Sequence, residues 1–336
     1  MRKALLATII IVALPGAVWA DAESAAAAYQ SEHYALAFRE YRALALRGVP
    51  EAQFNLALMY RHGRGVPKDY AEAVKWYRTA ADQGVPQAQF NLAVMYERGL
   101  GVAQDYDEAV KWYHKAAAQG FALAQYRLAQ MYLSGQGVPQ NDAQALMWTH
   151  MAAKHGHAKA QSDLAYRYAT GQGIQQDDAE AAIWIRKAAE QGIAVAQNDL
   201  GYMYATGQGV QQDYSEAAIW IRRAAEQGIA DAQHNLGYMY EVGQGVPQDY
   251  SQAVKWYRKA AEQGYAEAQN NLAGMYVTGR GVPIDGVQAY AWSAVAAEAG
   301  YETARTNRDR IAALLTPEQI DEAEKLSKEL SMQYGR

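Results

Sequence analysis

The 336-residue sequence contains no cysteine. Disulfide bonds, thiolate nucleophiles and cysteine-ligated metals are therefore excluded. Basic residues are also outnumbered, because 31 lysine and arginine residues stand against 36 acidic ones, and no basic stripe with interleaved aromatic residues is present. Since affinity for nucleic acids comes largely from lysine and arginine neutralising phosphates, this balance argues against a nucleic-acid partner.

One long apolar run occurs, at the N-terminus, where Arg2 and Lys3 precede the apolar residues 4–18. Small residues occupy the positions that a signal peptidase reads before Asp21, so the pattern predicts a secretory signal peptide over residues 1–20. An uncleaved N-terminal anchor is the alternative, although the run is slightly shorter than the about 20 residues that a spanning helix needs. We therefore expect a periplasmic or secreted protein without an integral membrane segment after cleavage.

A 36-residue repeat dominates the rest of the chain. A glycine-rich stretch occurs seven times at this interval, first as HGRGVPKDY (62–70) and last as TGRGVPIDG (278–286). Glycine loops that run into helices also bind phosphates, but they do so as GxxxxGK[ST] or GxGxxG between a strand and a helix. Here an Asp or Asn stands at the helix cap and no strand is predicted. We interpret the repeat as architectural and expect no nucleotide or other cofactor.

Residues 84–119 show what one repeat encodes. Small or apolar residues recur at spacings of three and four over 87–97 and again over 107–118, which is typical of one face of an α-helix. Between these helices, glycine can end the first one, and Asp105 stands three residues before Glu108, the spacing of a capping box. Each repeat is therefore predicted to be a helix hairpin. The same pair recurs as Asp69/Glu72, Asn141/Gln144, Asp177/Glu180, Asp213/Glu216, Asp249/Gln252 and Asp285/Gln288.

Tryptophan also follows the repeat. After Trp19 in the predicted signal peptide, the tryptophans are Trp76, Trp112, Trp148, Trp184, Trp220, Trp256 and Trp292. Their positions inside helices, beside constant alanines, predict that they fill the core. A platform on which sugars stack is the alternative interpretation.

The shared pattern, A-Q-x-x-L-[AG]-x-M-Y-x-x-G-x-G-V-x-x-[DN]-Y-x-x-A-x-x-W-Y-x-x-A-A-x-x-G, closely resembles the Sel1-like repeat over residues 49–300. This resemblance implies an all-α fold, a right-handed α-solenoid of stacked helix hairpins related to tetratricopeptide repeats. It also implies an adaptor that holds other proteins, in bacteria often in the envelope or at the host interface. Some cysteine-rich secreted members have been linked to penicillin binding or hydrolysis, but this chain has neither cysteine nor an SxxK motif.

Four segments are predicted on this basis. Residues 1–20 form the signal peptide, residues 21–48 a degenerate N-terminal helical cap and residues 49–300 the seven repeats. Residues 301–336 are interpreted as a degenerate half-repeat followed by a C-terminal capping helix that starts near Thr316.

Candidate partner-binding residues come from the first helices of the repeats, which line the concave wall of a solenoid. One row is rich in asparagine, whose amide can both donate to and accept from a peptide backbone, and a second row is tyrosine, which is favoured at interfaces. Hydrogen bonds to the adjacent repeat, and stacking between repeats, are the respective alternatives. The candidates are Asn55, Asn91, Asp163, Tyr166, Asp199, Tyr202, Asn235, Tyr238 and Asn271.

Histidines offer one further possibility, because His114 and His150 are equivalent in successive repeats and lie near His155 and His157 in sequence. No HExxH motif or fixed acidic ligand accompanies them, so solvent-facing histidines are favoured over a metal site. No catalytic residue is identified. The predicted function is an exported, monomeric, noncatalytic adaptor that binds a protein or peptide on its concave face. The alternatives are a cell-envelope enzyme acting on peptidoglycan or β-lactams and a structural spacer in an envelope assembly.

Overall fold

The computed structural model describes residues 16–334, and over this range the chain forms α-helices and no strand. The helices are α1 (Gly16–Gln30), α2 (Tyr34–Leu46), α3 (Pro50–His62), α4 (Tyr70–Asp82), α5 (Pro86–Arg98), α6 (Tyr106–Ala118), α7 (Ala122–Ser134), α8 (Asp142–Lys154), α9 (Ala158–Thr170), α10 (Asp178–Glu190), α11 (Ala194–Thr206), α12 (Tyr214–Glu226), α13 (Ala230–Val242), α14 (Tyr250–Ala261), α15 (Ala266–Thr278), α16 (Gly286–Glu298), α17 (Glu302–Ala312) and α18 (Pro317–Tyr334). The predicted all-α architecture of stacked helix hairpins is confirmed.

Two helices alternate in every repeat. The first helices of the seven repeats are α3, α5, α7, α9, α11, α13 and α15, and the second helices are α4, α6, α8, α10, α12, α14 and α16. The predicted signal peptide lies mostly in residues 1–15, outside the described residues, and its last five positions belong to α1. No described helix combines the length and apolarity needed to cross a membrane.

The Asp or Asn after each glycine loop starts the second helix. Asp105 is the N-cap of α6, and its carboxylate accepts a hydrogen bond from the backbone N–H of Glu108 at 2.9 Å. Glu108 does not close the box back onto the cap but pairs with Lys111 at 2.6 Å. The reciprocal bond is formed at the start of α18, where the backbone N–H of Thr316 donates to Gln319. The equivalent N-cap bonds occur at Asp69, Asn141, Asp177, Asp213, Asp249 and Asp285.

The two glycines of each loop have different tasks. Gly99, with a φ of 65°, is the left-handed residue that ends α5. Gly101 also has a positive φ, of 68°, but it lies against the start of the preceding second helix, where a Cβ would stand 2.3 Å from the carbonyl oxygen of Tyr70. Gly101 therefore allows close packing between repeats, because any side chain there would collide with backbone, and the second glycines of the other loops except Gly173 also lie against a backbone carbonyl.

The tryptophans of the second to seventh repeats are buried in the hydrophobic core. Trp112 is 5 % exposed and Trp292 is 2 % exposed, and the tryptophans of the repeats between them are similarly buried. The fully buried Leu92 and Ala93 belong to the same hydrophobic core as Trp112. Such burial leaves no free ring face for a sugar, so the core interpretation holds for these residues.

A ladder of buried glutamines also joins the repeats. The side-chain N–H of Gln89 donates to the carbonyl oxygen of Ala81 at 3.1 Å, and its Oε1 accepts from Gln119 at 2.8 Å. The same pattern links Gln83 to Gln53, His155 to Gln125, Gln227 to Gln197 and Gln263 to Gln233. Gln269 is the exception, because Ala299 stands where the donor should be and its buried Oε1 has no partner.

The chain divides into two compact units, residues 1–161 and residues 162–336. We call them the N-terminal unit and the C-terminal unit. In the N-terminal unit, α1 and α2 form a hairpin of their own ahead of the repeats. In the C-terminal unit, α18 packs on the last hairpin, and the ring of Tyr334 stacks on Trp292 with their centroids 6.0 Å apart.

Candidate functional site

Three exposed tyrosines mark the candidate site. Tyr166, Tyr202 and Tyr238 belong to the C-terminal unit, occupy the same position in the successive first helices α9, α11 and α13, and are 62 %, 56 % and 49 % exposed. We call these three residues the tyrosine row. Within the described residues none of their rings packs against another aromatic ring, and the other tyrosines are more buried. Exposed Val195 on α11 and Val242 on α13 add apolar surface to the same helices.

Two asparagines among the candidate residues, Asn91 and Asn271, are already bonded within the chain. Asn91 accepts a hydrogen bond from Arg61 at 2.6 Å and donates to the carbonyl oxygen of Gln87 at 2.8 Å. The amide nitrogen of Asn271 lies 3.0 Å from Nε2 of His234 on the preceding first helix. At Asn91 and Asn271, therefore, the structure shows bonds between repeats, the alternative to peptide recognition.

Arg127 on α7 occupies the same repeat position as Asn91 and Asn271, and it forms an ion pair with Glu97 on α5. Glu97 binds the guanidinium of Arg127, with Nε at 3.1 Å, and accepts from the hydroxyl of Tyr113 at 2.6 Å. Burial alone would raise the pKa of Glu97, but the hydrogen bonds from Arg127 and Tyr113 outweigh it and lower the pKa below its ordinary value. Both charges of this pair are therefore balanced inside the chain.

Glu241 occupies the same repeat position on α13 without such a partner. It accepts a hydrogen bond from the hydroxyl of Tyr257 at 2.7 Å, just as Glu97 accepts from its own tyrosine. The residue equivalent to Arg127 is Asn271, which carries no charge and binds His234. Within the described residues Glu241 forms no ion pair, so its charge is unbalanced.

Asp199 is a second carboxylate without a partner among the described residues. It lies on α11 one helical turn before Tyr202 and forms no hydrogen bond with the described residues. The nearby Asp231 is held by Asn198 and by the hydroxyl of Tyr265, both at 2.9 Å. Burial first, and then repulsion from Asp231, raise the pKa of Asp199 to about 6.

The remaining candidates are dispersed. Asn55 is half-buried on α3, Asp163 is exposed on α9, and Asn235 is half-buried on α13 beside His234. In the part of the chain that the structure describes, no three His, Asp or Glu side chains are grouped so that they could hold a metal. The histidines weighed above make protein contacts instead, since His155 lies 2.9 Å from Gln125.

Glu241 and Asp231 are not among the residues predicted from the sequence. The signal that finds Glu241 is a separation of 30 residues, at which first-helix side chains of neighbouring repeats meet in Arg61–Asn91 and Glu97–Arg127. Asp231 meets Asn198 at a separation of 33 residues, so this signal does not find it. Read at this separation, Glu241 faces Asn271.

The fold and this surface define a repeat scaffold built from helix hairpins. The Sel1 repeat model matches seven consecutive segments, residues 50–85, 86–121, 122–157, 158–193, 194–229, 230–265 and 266–301. The chain therefore belongs to the Sel1 repeat family, whose members are generally protein-interaction scaffolds.

Two solved structures show the likeness. A Sel1 repeat protein from Oxalobacter formigenes is 35 % identical, with a TM-score of 0.61 over 71 % of this chain and 98 % of that chain. The protein c5321, a protective antigen present in uropathogenic Escherichia coli strains that displays an SLR fold, is 29 % identical, with a TM-score of 0.53 over 96 % of each chain. No curated protein matches this chain.

Proposed function

We propose that this chain is an exported, noncatalytic scaffold that binds a protein or peptide through the first helices of its fourth to sixth repeats. The tyrosine row is the observation that carries the proposal. Three large side chains stay half-exposed at one repeat position, although the tryptophans from Trp112 to Trp292 are at most 8 % exposed. Tyrosine gives an interface a broad apolar face, a polar tip and little rotamer entropy to lose.

The repeat spacing favours an extended partner. First helices of neighbouring repeats lie about 8–10 Å apart, and in α-solenoids these helices line the concave surface. A peptide that crosses them meets one tyrosine per repeat, with Asp199 and Asn235 one turn earlier on the same helices. Asp163 lies one turn before Tyr166 and extends the proposed surface within the C-terminal unit, whereas Asn55 and Asn91 belong to the N-terminal unit. Asn271 is bonded to His234 and is a weaker candidate. Export rests on the predicted signal peptide.

The experiment is a crosslinking pull-down from envelope and culture-supernatant fractions. The chain is compared with a triple variant, Tyr166→Ala, Tyr202→Ala and Tyr238→Ala. The control is the double variant Ile183→Ala and Ile219→Ala, which removes side chains of similar exposure, 48 % and 45 %, from second helices. Circular dichroism checks that both variants remain helical.

A partner that is lost from the triple variant and kept by the control supports the proposal. Loss of an aromatic anchor at an interface typically costs more than about 2 kcal/mol, so weakening by more than tenfold is expected. Retention of the partner by the triple variant places the binding surface elsewhere. The absence of any partner favours a structural spacer.

A further inference from the structure

The first helices of the last three repeats carry charge of one sign. Helices α11, α13 and α15 contain four carboxylates and neither lysine nor arginine. The carboxylates are Asp199, Asp231, Glu241 and Glu267. The first helices α3, α5 and α7 differ, because each of them carries arginine. Acidic groups that have no lysine or arginine on their own helices attract a cationic partner.

Among these carboxylates, Glu241 can be compared directly with Glu97, because both occupy the same repeat position. Both carboxylates accept a hydrogen bond from a tyrosine of the adjacent second helix, Tyr113 at 2.6 Å and Tyr257 at 2.7 Å. Only Glu97 also receives a guanidinium, that of Arg127. The two sites have the same acceptor and the same tyrosine, but Glu241 has no arginine, and His234, whose burial lowers its pKa, stands where the other repeat has Phe90.

Exposed tyrosines suit the same partner. Tyr238 lies one turn before Glu241 on α13, so a cation at the carboxylate is also close to a tyrosine ring. Cations and aromatic rings already pair elsewhere in this chain, since Lys68 lies 4.5 Å from the ring centroid of Tyr70 and Arg186 lies 5.4 Å from that of Tyr204. A cation over an aromatic face adds attraction to the ion pair.

We infer that the partner segment, whose existence rests on the proposed function, is an extended and cationic stretch of protein. One of its arginine or lysine side chains binds Glu241 in the place that Arg127 holds at Glu97, against the ring of Tyr238. Asp199, with its neighbour Asp231, offers a second cation site one repeat earlier. Arginine suits Glu241 best, because its planar fork can bind a carboxylate through two hydrogen bonds.

Fluorescence anisotropy with two labelled probe peptides tests this inference. In the first peptide arginine alternates with glycine and serine, and in the second glutamate replaces every arginine. We expect the arginine peptide to bind and its affinity to fall as salt is added, because exposed charges are screened. Binding of the two peptides with equal affinity overturns the inference.

Two variants locate the cation. Glu241→Gln keeps an acceptor for Tyr257 but removes the charge, and Asn271→Arg supplies the cation from within, as Arg127 does at Glu97. Each should weaken binding of the arginine peptide roughly tenfold, the effect of losing one charge-assisted contact. The control is Glu226→Gln on α12, an exposed position where the net charge changes by the same amount as in both variants.

Unchanged affinity in Glu241→Gln, relative to Glu226→Gln, also overturns the inference. Failure of the inference differs visibly from failure of the proposed function. If the tyrosine triple variant loses a crosslinked partner while the arginine peptide does not bind, the scaffold stands and its partner is not cationic. If the arginine peptide binds and depends on Glu241, the surface and its charge preference are both supported.

Discussion

The unpartnered Oε1 of Gln269 gives a stability prediction that can be worked out from the glutamine ladder. In four other repeats a glutamine at the end of the second helix donates a hydrogen bond to the equivalent Oε1, as Gln119 donates to Gln89 at 2.8 Å. Ala299 occupies that place next to Gln269. We expect Ala299→Gln to supply the missing donor, because position 299 is exposed and leaves room for the side chain.

The magnitude follows from two opposing terms. A buried acceptor without a hydrogen bond costs about 1–3 kcal/mol, which the new bond recovers in part. Ordering a glutamine side chain costs up to about 2 kcal/mol of rotamer entropy, and a side chain at a helix end is only partly ordered. We therefore expect Ala299→Gln to raise the free energy of unfolding by about 1 kcal/mol.

Urea denaturation followed by circular dichroism measures the gain, and hydrogen exchange of the α15 and α16 amides places it in the last repeat. Repeat arrays can unfold in stages, so the local exchange measurement is the more direct one. The double-mutant control is Gln269→Leu, which removes the acceptor. An equal gain from Ala299→Gln with and without Gln269→Leu would refute the assigned hydrogen bond, as would the absence of any gain.

Two further predictions concern backbone geometry and pH. Gly84→Ala should lower the free energy of unfolding by about 1–2 kcal/mol, because the φ of Gly84 is +90° although a Cβ there meets nothing within 4 Å. Gly101→Ala should lower it by at least about 3 kcal/mol, because the new Cβ collides with the Tyr70 carbonyl. Urea denaturation of both variants shows whether Gly101→Ala is the more destabilising. The pKa of Asp199 is raised to about 6 in the folded chain and lies near 4 in an unfolded one. Between pH 4 and 6 the folded state therefore binds more protons than the unfolded state, and the free energy of unfolding should fall as pH rises through this range. Asp199→Asn should remove this part of the pH dependence, and an unchanged slope in that variant contradicts the assignment.

Periodicity was sufficient to predict the architecture. Spacings of three and four residues located both helices of each repeat, and Asp105 was correctly placed as the cap of a second helix. These features depend on residues close together in sequence, where local geometry decides the outcome. The tyrosine row was also predictable, since Tyr202 and Tyr238 stand outside the apolar positions of their helices.

Contacts between repeats were not predictable in the same way. Gln89 appears in the sequence only as a polar residue beside a core alanine, and nothing local shows that its partner is Gln119. Asn91 and Asp199 occupy equivalent positions, yet one is bonded to Arg61 and the other has no partner among the described residues. This difference depends on which side chain stands 30 residues away, and that separation is known only once the helices are packed.

Site-specific photocrosslinking shows whether the tyrosine row contacts a partner. A photoreactive phenylalanine analogue is placed at Tyr202 on α11 in one variant and at Ile219 on α12 in another, two positions with similar exposure of 56 % and 45 %. Both variants are expressed in the native host and irradiated in intact cells. We expect a protein adduct from position 202 and none from position 219. An adduct from position 219 alone, or equal adducts from both positions, would contradict this expectation.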